Sequence, residues 1–258
     1  MSANHAAFNL IFRFVENYIS PVAGRISSQR HVMAIRDGFI SAMPFMIVGS
    51  FLLVFAYPPF SPDTTWGFAR AWLDLAKEFE GRILTPFDMT MGIMSIYICA
   101  AIAYNLGKHY EKSNQLDPFM CAMLSIMAFL LVAAPKTNGN LPVDSLGGTG
   151  IFTAILVAIY CVEMMRFLKA HNIGIRLPDQ VPPMIKNSFD LLIPVLVVVL
   201  TLYPLSLAIQ SQLDMLIPQA IMAIFKPLVS AADSLPAILL AVLIGHLLWF
   251  AGIHGAAI

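Results

Sequence analysis

Between Gly38 and Tyr57 the chain runs without a single charged residue, and then meets Pro58-Pro59. A stretch of that kind is long enough to cross the hydrocarbon core of a bilayer, which takes about 20 mostly apolar residues in a helix. Four more blocks of similar character follow: Met89–Leu106, Pro118–Pro135, Gly150–Leu168 and Phe189–Ile209. Two further blocks, Leu216–Ala232 and Leu235–Ile253, are interrupted by Pro218, Lys226, Pro227, Pro236 and His246. Blocks, rather than alternating stripes, leave no polar face for water. The sequence therefore predicts an all-α polytopic membrane protein with at least five spanning helices, since only helices and closed barrels satisfy their backbone groups in lipid. Composition agrees. Hydrophobic residues make up 59% of the 258 and charged residues 12%, against about 45–50% and about 25% in soluble domains.

The intervening segments read as interface and loop. From Phe8 to Ile19 the apolar positions Leu10, Ile11, Phe14, Val15 and Tyr18 recur at helical spacing, with Arg13, Glu16 and Asn17 between them, the pattern of an amphipathic helix on the membrane surface. No apolar core followed by a small-residue cleavage site precedes it, so the N-terminus does not read as a cleaved signal peptide. Trp66–Phe79 repeats the amphipathic pattern inside the Pro58–Asp88 loop, with Trp66, Ala69, Leu73 and Ala76 on one face and Arg70, Asp74 and Lys77 on another. Turn formers crowd Lys136–Gly148 into a loop. Basic residues collect in alternate segments: Arg13, Arg25, Arg30 and Arg36, then Lys108 and Lys112, then Arg166, Lys169, Arg176 and Lys186. The other side holds Arg70, Lys77, Arg82 and Lys136. That bias predicts a cytoplasmic N-terminus.

Equal numbers of basic and acidic residues give no field to draw nucleic acid. Cys99, Cys121 and Cys161 lie inside apolar blocks, where an odd number of thiols reads as packing rather than a disulfide framework. No metal-ligand spacing, phosphate-binding P-loop, nucleophile elbow or kinase motif occurs. No cofactor is expected.

Ionisable groups at membrane depth are few and informative. Glu163 precedes Arg166 by three residues, so a local helical ion pair at the interface accounts for it. An ion-coupled secondary transporter would instead use Glu163 as its coupling carboxylate. His246, beside Gly245, reads as a helix-packing residue. His254 differs, because Gly252 and Gly255 flank it in the run Trp249-Phe250-Ala251-Gly252-Ile253-His254-Gly255. Glycines let backbone approach a ligand or unwind, as in the broken helices of transporter sites, and Trp249 offers an aromatic face to a sugar ring. Trp249, Gly252, His254 and Gly255 are the candidate substrate-binding residues. Pro194, inside the fifth block, predicts a kink near its cytoplasmic end.

Three stretches carry a resemblance: FVENYISPVAGRISSQRHVMAIRDGFISAMPFMIVGSFLLV from Phe14, IRLPDQVPPMIKNSFDLLIP from Ile175, and HLLWFAGIHG from His246. They resemble the IIC component of the bacterial phosphotransferase system (PTS), in the lactose/cellobiose/chitobiose family, across essentially the whole chain. The resemblance implies an EIIC-like helical bundle with interfacial amphipathic helices. It implies a homodimeric sugar permease of the bacterial inner membrane, in contact with lipid, that binds a β-linked disaccharide such as cellobiose. A IIB partner, phosphorylated on its own cysteine through IIA, would phosphorylate the sugar at C6, with His254 as the catalytic histidine near that hydroxyl. The implied organisation is a cytoplasmic amphipathic N-terminus over 1–37, a five-helix dimerisation bundle over 38–209 and the start of the sugar-translocating part over 210–258. Family members continue into a re-entrant region bearing an Asn-x-x-Glu-Pro motif that this sequence lacks, so a chain truncated after about six or seven membrane segments is expected. A non-transporting remnant or membrane scaffold is the alternative.

Overall fold

The structure, a computed structural model, describes residues 20–135, 141–175, 189–232 and 234–250, together with Asn17, Pro178, Gln180, Pro182 and Ile185. The expected surface helix over Phe8–Ile19 lies outside the described residues apart from Asn17. Nine α-helices make up the ordered architecture among the described residues: α1 (Ser20–Ser27), α2 (Arg30–Ala56), α3 (Gly67–Asp88), α4 (Met94–Asn114), α5 (Pro118–Ala133), α6 (Ile151–Ala170, entered through a 3-10 turn at Gly148–Gly150), α7 (Leu192–Leu213), α8 (Ile217–Ala232) and α9 (Leu235–Phe250). Two compact units divide the chain, one of residues 37–222 and the other of residues 1–36 with 223–258.

Several helix ends follow from local chemistry. Asp117 precedes Pro118, and its Oδ1 accepts from Phe119 N at 2.9 Å and Met120 N at 3.3 Å. This is an acidic N-cap followed by proline at the first helical position, where no donor is lost. Helices α4, α6 and α7 are followed by Gln115, Asn172 and Asp214, all with positive φ, a left-handed turn that ends a helix without glycine.

The larger unit is built on α4, α5 and α6, each packed against the other two, with α7 against α5 and α6. Its interior mixes medium and small side chains: Ile98, Ile102 and Leu106 from α4, Cys121, Leu124 and Phe129 from α5, and Ala154, Ala158 and Cys161 from α6. Small residues let backbones approach, which matters in lipid because apolar side chains gain nothing by leaving it. Cys99, Cys121 and Cys161 are all buried and free, in line with the packing role expected of them. Polar bonds tie the helices together. Tyr160 and Thr201 share a hydrogen bond between α6 and α7, and the start of α4 is clasped by the loop before α6 through Ser95 N to Leu146 O at 2.9 Å. Conversely, Phe51 on α2 and Leu200 on α7 are over 60% exposed, as lipid-facing residues are.

Among the described residues, three helical stretches, Arg30–Ala56, Gly148–Ala170 and Leu192–Leu213, are long and apolar enough to cross a bilayer. The expected count of five needs qualification. Helix α5 is apolar, but its 16 residues rise only about 24 Å against a core of about 30 Å. The expected span Met89–Leu106 is shifted. A turn occupies Thr90–Ile93, where a Cβ on Gly92 would fall 2.6 Å from Asp88 O, and α4 then runs on through Lys108 and Lys112 to Asn114. Apolar content stops at Leu106, yet nothing after it breaks a helix. The amphipathic helix expected over 66–79 is also longer, running as α3 through Gly81 and Pro86 to Asp88. Pro194 does not kink α7. The helix begins at Leu192, so Pro194 sits in the first turn, where its missing N–H would have had no helical partner.

Candidate functional site

Gly252, His254 and Gly255 lie outside the described residues, and Trp249 stands in the backbone of α9, whose last residue is Phe250. The structure thus carries the chain by helix to within two residues of Gly252. His246 stands on the same helix. Its ring is exposed, and Nδ1 lies 2.8 Å from the Val242 carbonyl one turn back.

The charged groups brought together among the described residues stand where α4 and α6 end. Glu163 is fully engaged: its Oε2 lies 2.9 Å from Arg166 Nε, and its Oε1 accepts from the Tyr110 hydroxyl at 2.8 Å. The Arg166 guanidinium sits 4.9 Å above the Tyr110 ring, in cation–π contact. The i,i+3 ion pair expected from sequence is present, and α4 adds a third member from 53 positions away. One turn further on, Lys169 Nζ donates to Gln115 O at 2.7 Å and lies 3.4 Å from Asp190 Oδ2. Lys169 therefore neutralises the carbonyl end of α4, where a cation is favoured by the helix dipole, and holds the segment leading into α7. Around it is a cavity of about 390 Å³ lined by Asn114, Gln115, Lys169, Asn172 and Asp190, with Met165 and Leu168 behind.

This cluster links three helix ends, and both carboxylate oxygens of Glu163 have a partner in it. A structural role predicts that Glu163→Gln keeps the Tyr110 contact, loses part of the Arg166 attraction and costs about 1 kcal/mol or less. Thermal unfolding in detergent should show only a small shift. A melting temperature lowered by many degrees would mean that the carboxylate holds these helices together far more strongly than a partly exposed pair does. Tyr110, Lys169 and Asp190 escaped sequence reasoning, because each stands in an unremarkable run and gains its meaning from a partner on another helix.

A bundle of this kind, with apolar exteriors and charges gathered at helix ends, is that of an integral membrane protein. A family model described as "Phosphotransferase system, EIIC" matches residues 36–258. Over 95% of its length the chain is 34% identical to a cellobiose-specific EIIC component of Geobacillus stearothermophilus, covering 56% of that protein. It is also 34% identical over 92% of its length to a lactose-specific EIICB component of Streptococcus mutans, covering 41% of it. The crystal structure of ChbC, the IIC component of an N,N'-diacetylchitobiose-specific phosphotransferase system, superposes with a TM-score of 0.80 and 33% identity, across 95% of this chain and 58% of that one. The chain belongs to the phosphotransferase system EIIC family. It spans about half the length of the curated relatives it matches.

Proposed function

We propose that this chain belongs to a IIC sugar permease that imports a β-linked disaccharide, phosphorylated as it enters by a IIB partner supplied through IIA. The observation that carries the reading is agreement of fold and sequence together, over nearly the whole chain, with a diacetylchitobiose IIC structure, alongside relatives named for cellobiose and lactose. Those three sugars are all β-linked disaccharides, differing in an epimer or in acetamido groups. Relatives named EIICB bear a IIB part in their printed names, which supports a IIB-type partner. The three thiols of this chain offer no alternative phosphoryl carrier, since all are buried.

The membrane in question is the bacterial inner membrane. With the N-terminus in the cytoplasm, the ends of α4 and α6 and the cluster of Tyr110, Glu163 and Lys169 also face inward, on the side where IIB acts. The basic segment Arg166–Lys186, of which part lies outside the described residues, is a reasonable docking surface. The permease works as a homodimer through residues 38–209, and residues 210–258 begin the sugar-translocating part. Within that part His254 stands at the C6 hydroxyl, with Trp249 stacking on the sugar and Gly252 and Gly255 admitting backbone contact.

Uptake separates this reading from an ion-driven one. In cells carrying the whole system, accumulated disaccharide should be phosphorylated, and vesicle uptake should require phosphoenolpyruvate and survive an uncoupler. Accumulation of unmodified sugar that collapses with the proton gradient would overturn it.

A further inference from the structure

Helix α3 carries three strips. Ala69 and Ala76 are buried against the rest of the unit. One flank is aromatic: Trp66, Phe68 and Trp72 join Phe55 and Phe60 in a network of ring contacts at 5.4 to 5.9 Å, pinned by Trp72 Nε1 donating to Phe55 O at 3.2 Å. The other flank faces a cavity of about 590 Å³ at the end of α2, lined by Tyr57, Arg70, Asp74, Lys77 and Glu80 over Leu73. Tyr57 donates its hydroxyl to Glu80 at 3.0 Å.

Arg70, Asp74 and Lys77 stand four and three residues apart, the spacings at which opposite charges pair along a helix. Among the described residues their side chains make no hydrogen bond or ion pair. Donors and acceptors are thus left free around a hollow of ligand size, for which about 300–1,000 Å³ is usual. The set contains two cations and two anions, so it favours neither kind of ion. It offers charge-assisted hydrogen bonds of both senses, roughly twice as strong as neutral ones, and so suits a neutral solute with many hydroxyls. An aromatic flank seeks the lipid interface, which turns the charged flank toward water and favours a water-borne ligand over a lipid headgroup.

We infer that the hollow between the end of α2 and the charged flank of α3 is an outer-surface subsite for a neutral disaccharide, separate from the residues around His254. It rests on the proposed function for the identity of the sugar and for the outward orientation of this end. Arg70 and Lys77 donate to sugar oxygens, Asp74 and Glu80 accept from hydroxyls, and the apolar wall at Leu73 meets the ring face. Its effect is to raise the local concentration of sugar at the mouth of the permease.

Trp66 and Trp72 report on this end of the protein, and Trp249→Phe leaves them the sole tryptophans of the three in the chain. In nanodiscs of phosphatidylethanolamine and phosphatidylglycerol, cellobiose should give that variant a saturable change in emission. Adding Arg70→Ala with Asp74→Ala, or Arg70→Gln alone, should weaken the response at least tenfold, while Glu78→Gln, outside the lining, should not. A flat response in a chain whose far-ultraviolet circular dichroism is unchanged overturns the subsite, and so does an equal response to inorganic phosphate. Phosphoenolpyruvate-dependent cellobiose uptake by the wild-type system, measured alongside, separates the two ideas. A flat response with intact uptake refutes the subsite alone, whereas absent uptake refutes the disaccharide reading and the subsite with it.

Discussion

Gly38→Val should leave little folded protein in the membrane. Gly38 lies on α2 where that helix crosses α4, and a Cβ there would run into Ile102 Cγ1 and stand 2.9 Å from Ile102 N and 3.0 Å from its Cα. Two of those atoms are backbone in a fully buried turn of α4, so a rotamer change cannot relieve the clash and the helices must separate. Overpacking of a well-filled interior costs about 1–3 kcal/mol, sometimes more. Here separation would also disturb the Phe45–Tyr97 ring stack, at 4.3 Å between centroids, that braces the same pair of helices. Size-exclusion profiles of a fluorescently tagged protein in mild detergent should show loss of the main peak and a melting temperature lowered by several degrees. Gly81→Ala is the control. Gly81 is inside α3, and a Cβ there meets nothing within 4 Å, so removing a helical glycine should stabilise by about 0.5–1 kcal/mol. A Gly38→Val protein with a wild-type melting temperature would mean that α2 does not press on α4 in the membrane.

The second large effect is on chemistry. If the proposed function holds, His254→Ala in the assembled permease should lower phosphorylation of disaccharide about 10²–10⁴-fold, the usual worth of a positioned general base, while membrane insertion and the melting temperature stay as in wild type. A neutral imidazole beside the C6 hydroxyl would accept its proton as the oxygen attacks the phosphoryl group on IIB, so losing it slows the step without unfolding the protein. Phosphoenolpyruvate-dependent transfer of labelled phosphate in everted vesicles measures this directly. Binding of the disaccharide should weaken far less than turnover. Wild-type turnover would remove His254 from the site.

These effects differ in how legible their causes were. Glycine at position 38 opens an apolar block that also holds Gly49, and the sequence does not say which atoms of another helix a side chain there would meet, whereas one at Gly24 or Gly81 would meet open space. The His254 motif, flanked by glycines, was conspicuous in the sequence. Glu163 and Arg166 could be paired from spacing alone, because three residues on a helix fix their separation. The arrival of Tyr110 at that pair could not.

The sequence by itself determined the class of the protein. Uninterrupted apolar blocks require a bilayer, because neither water nor a soluble core of this size accommodates them, and Asp117-Pro118 set where one helix begins. Local chemistry suffices for such features, since the hydrogen bonds and solvent of a helix depend on residues within a turn or two. Which helices touch, and through which atoms, was decided only in the tertiary structure. A helix that is apolar around its whole circumference has no pattern to say which side meets a neighbour and which meets lipid. The closeness of Gly38 to Ile102, the bond from Lys169 to Gln115, and the open hollow beside Arg70 and Asp74 all depend on how each helix is rotated and where its neighbour ends. That is settled by packing among several helices at once, and no single segment encodes it.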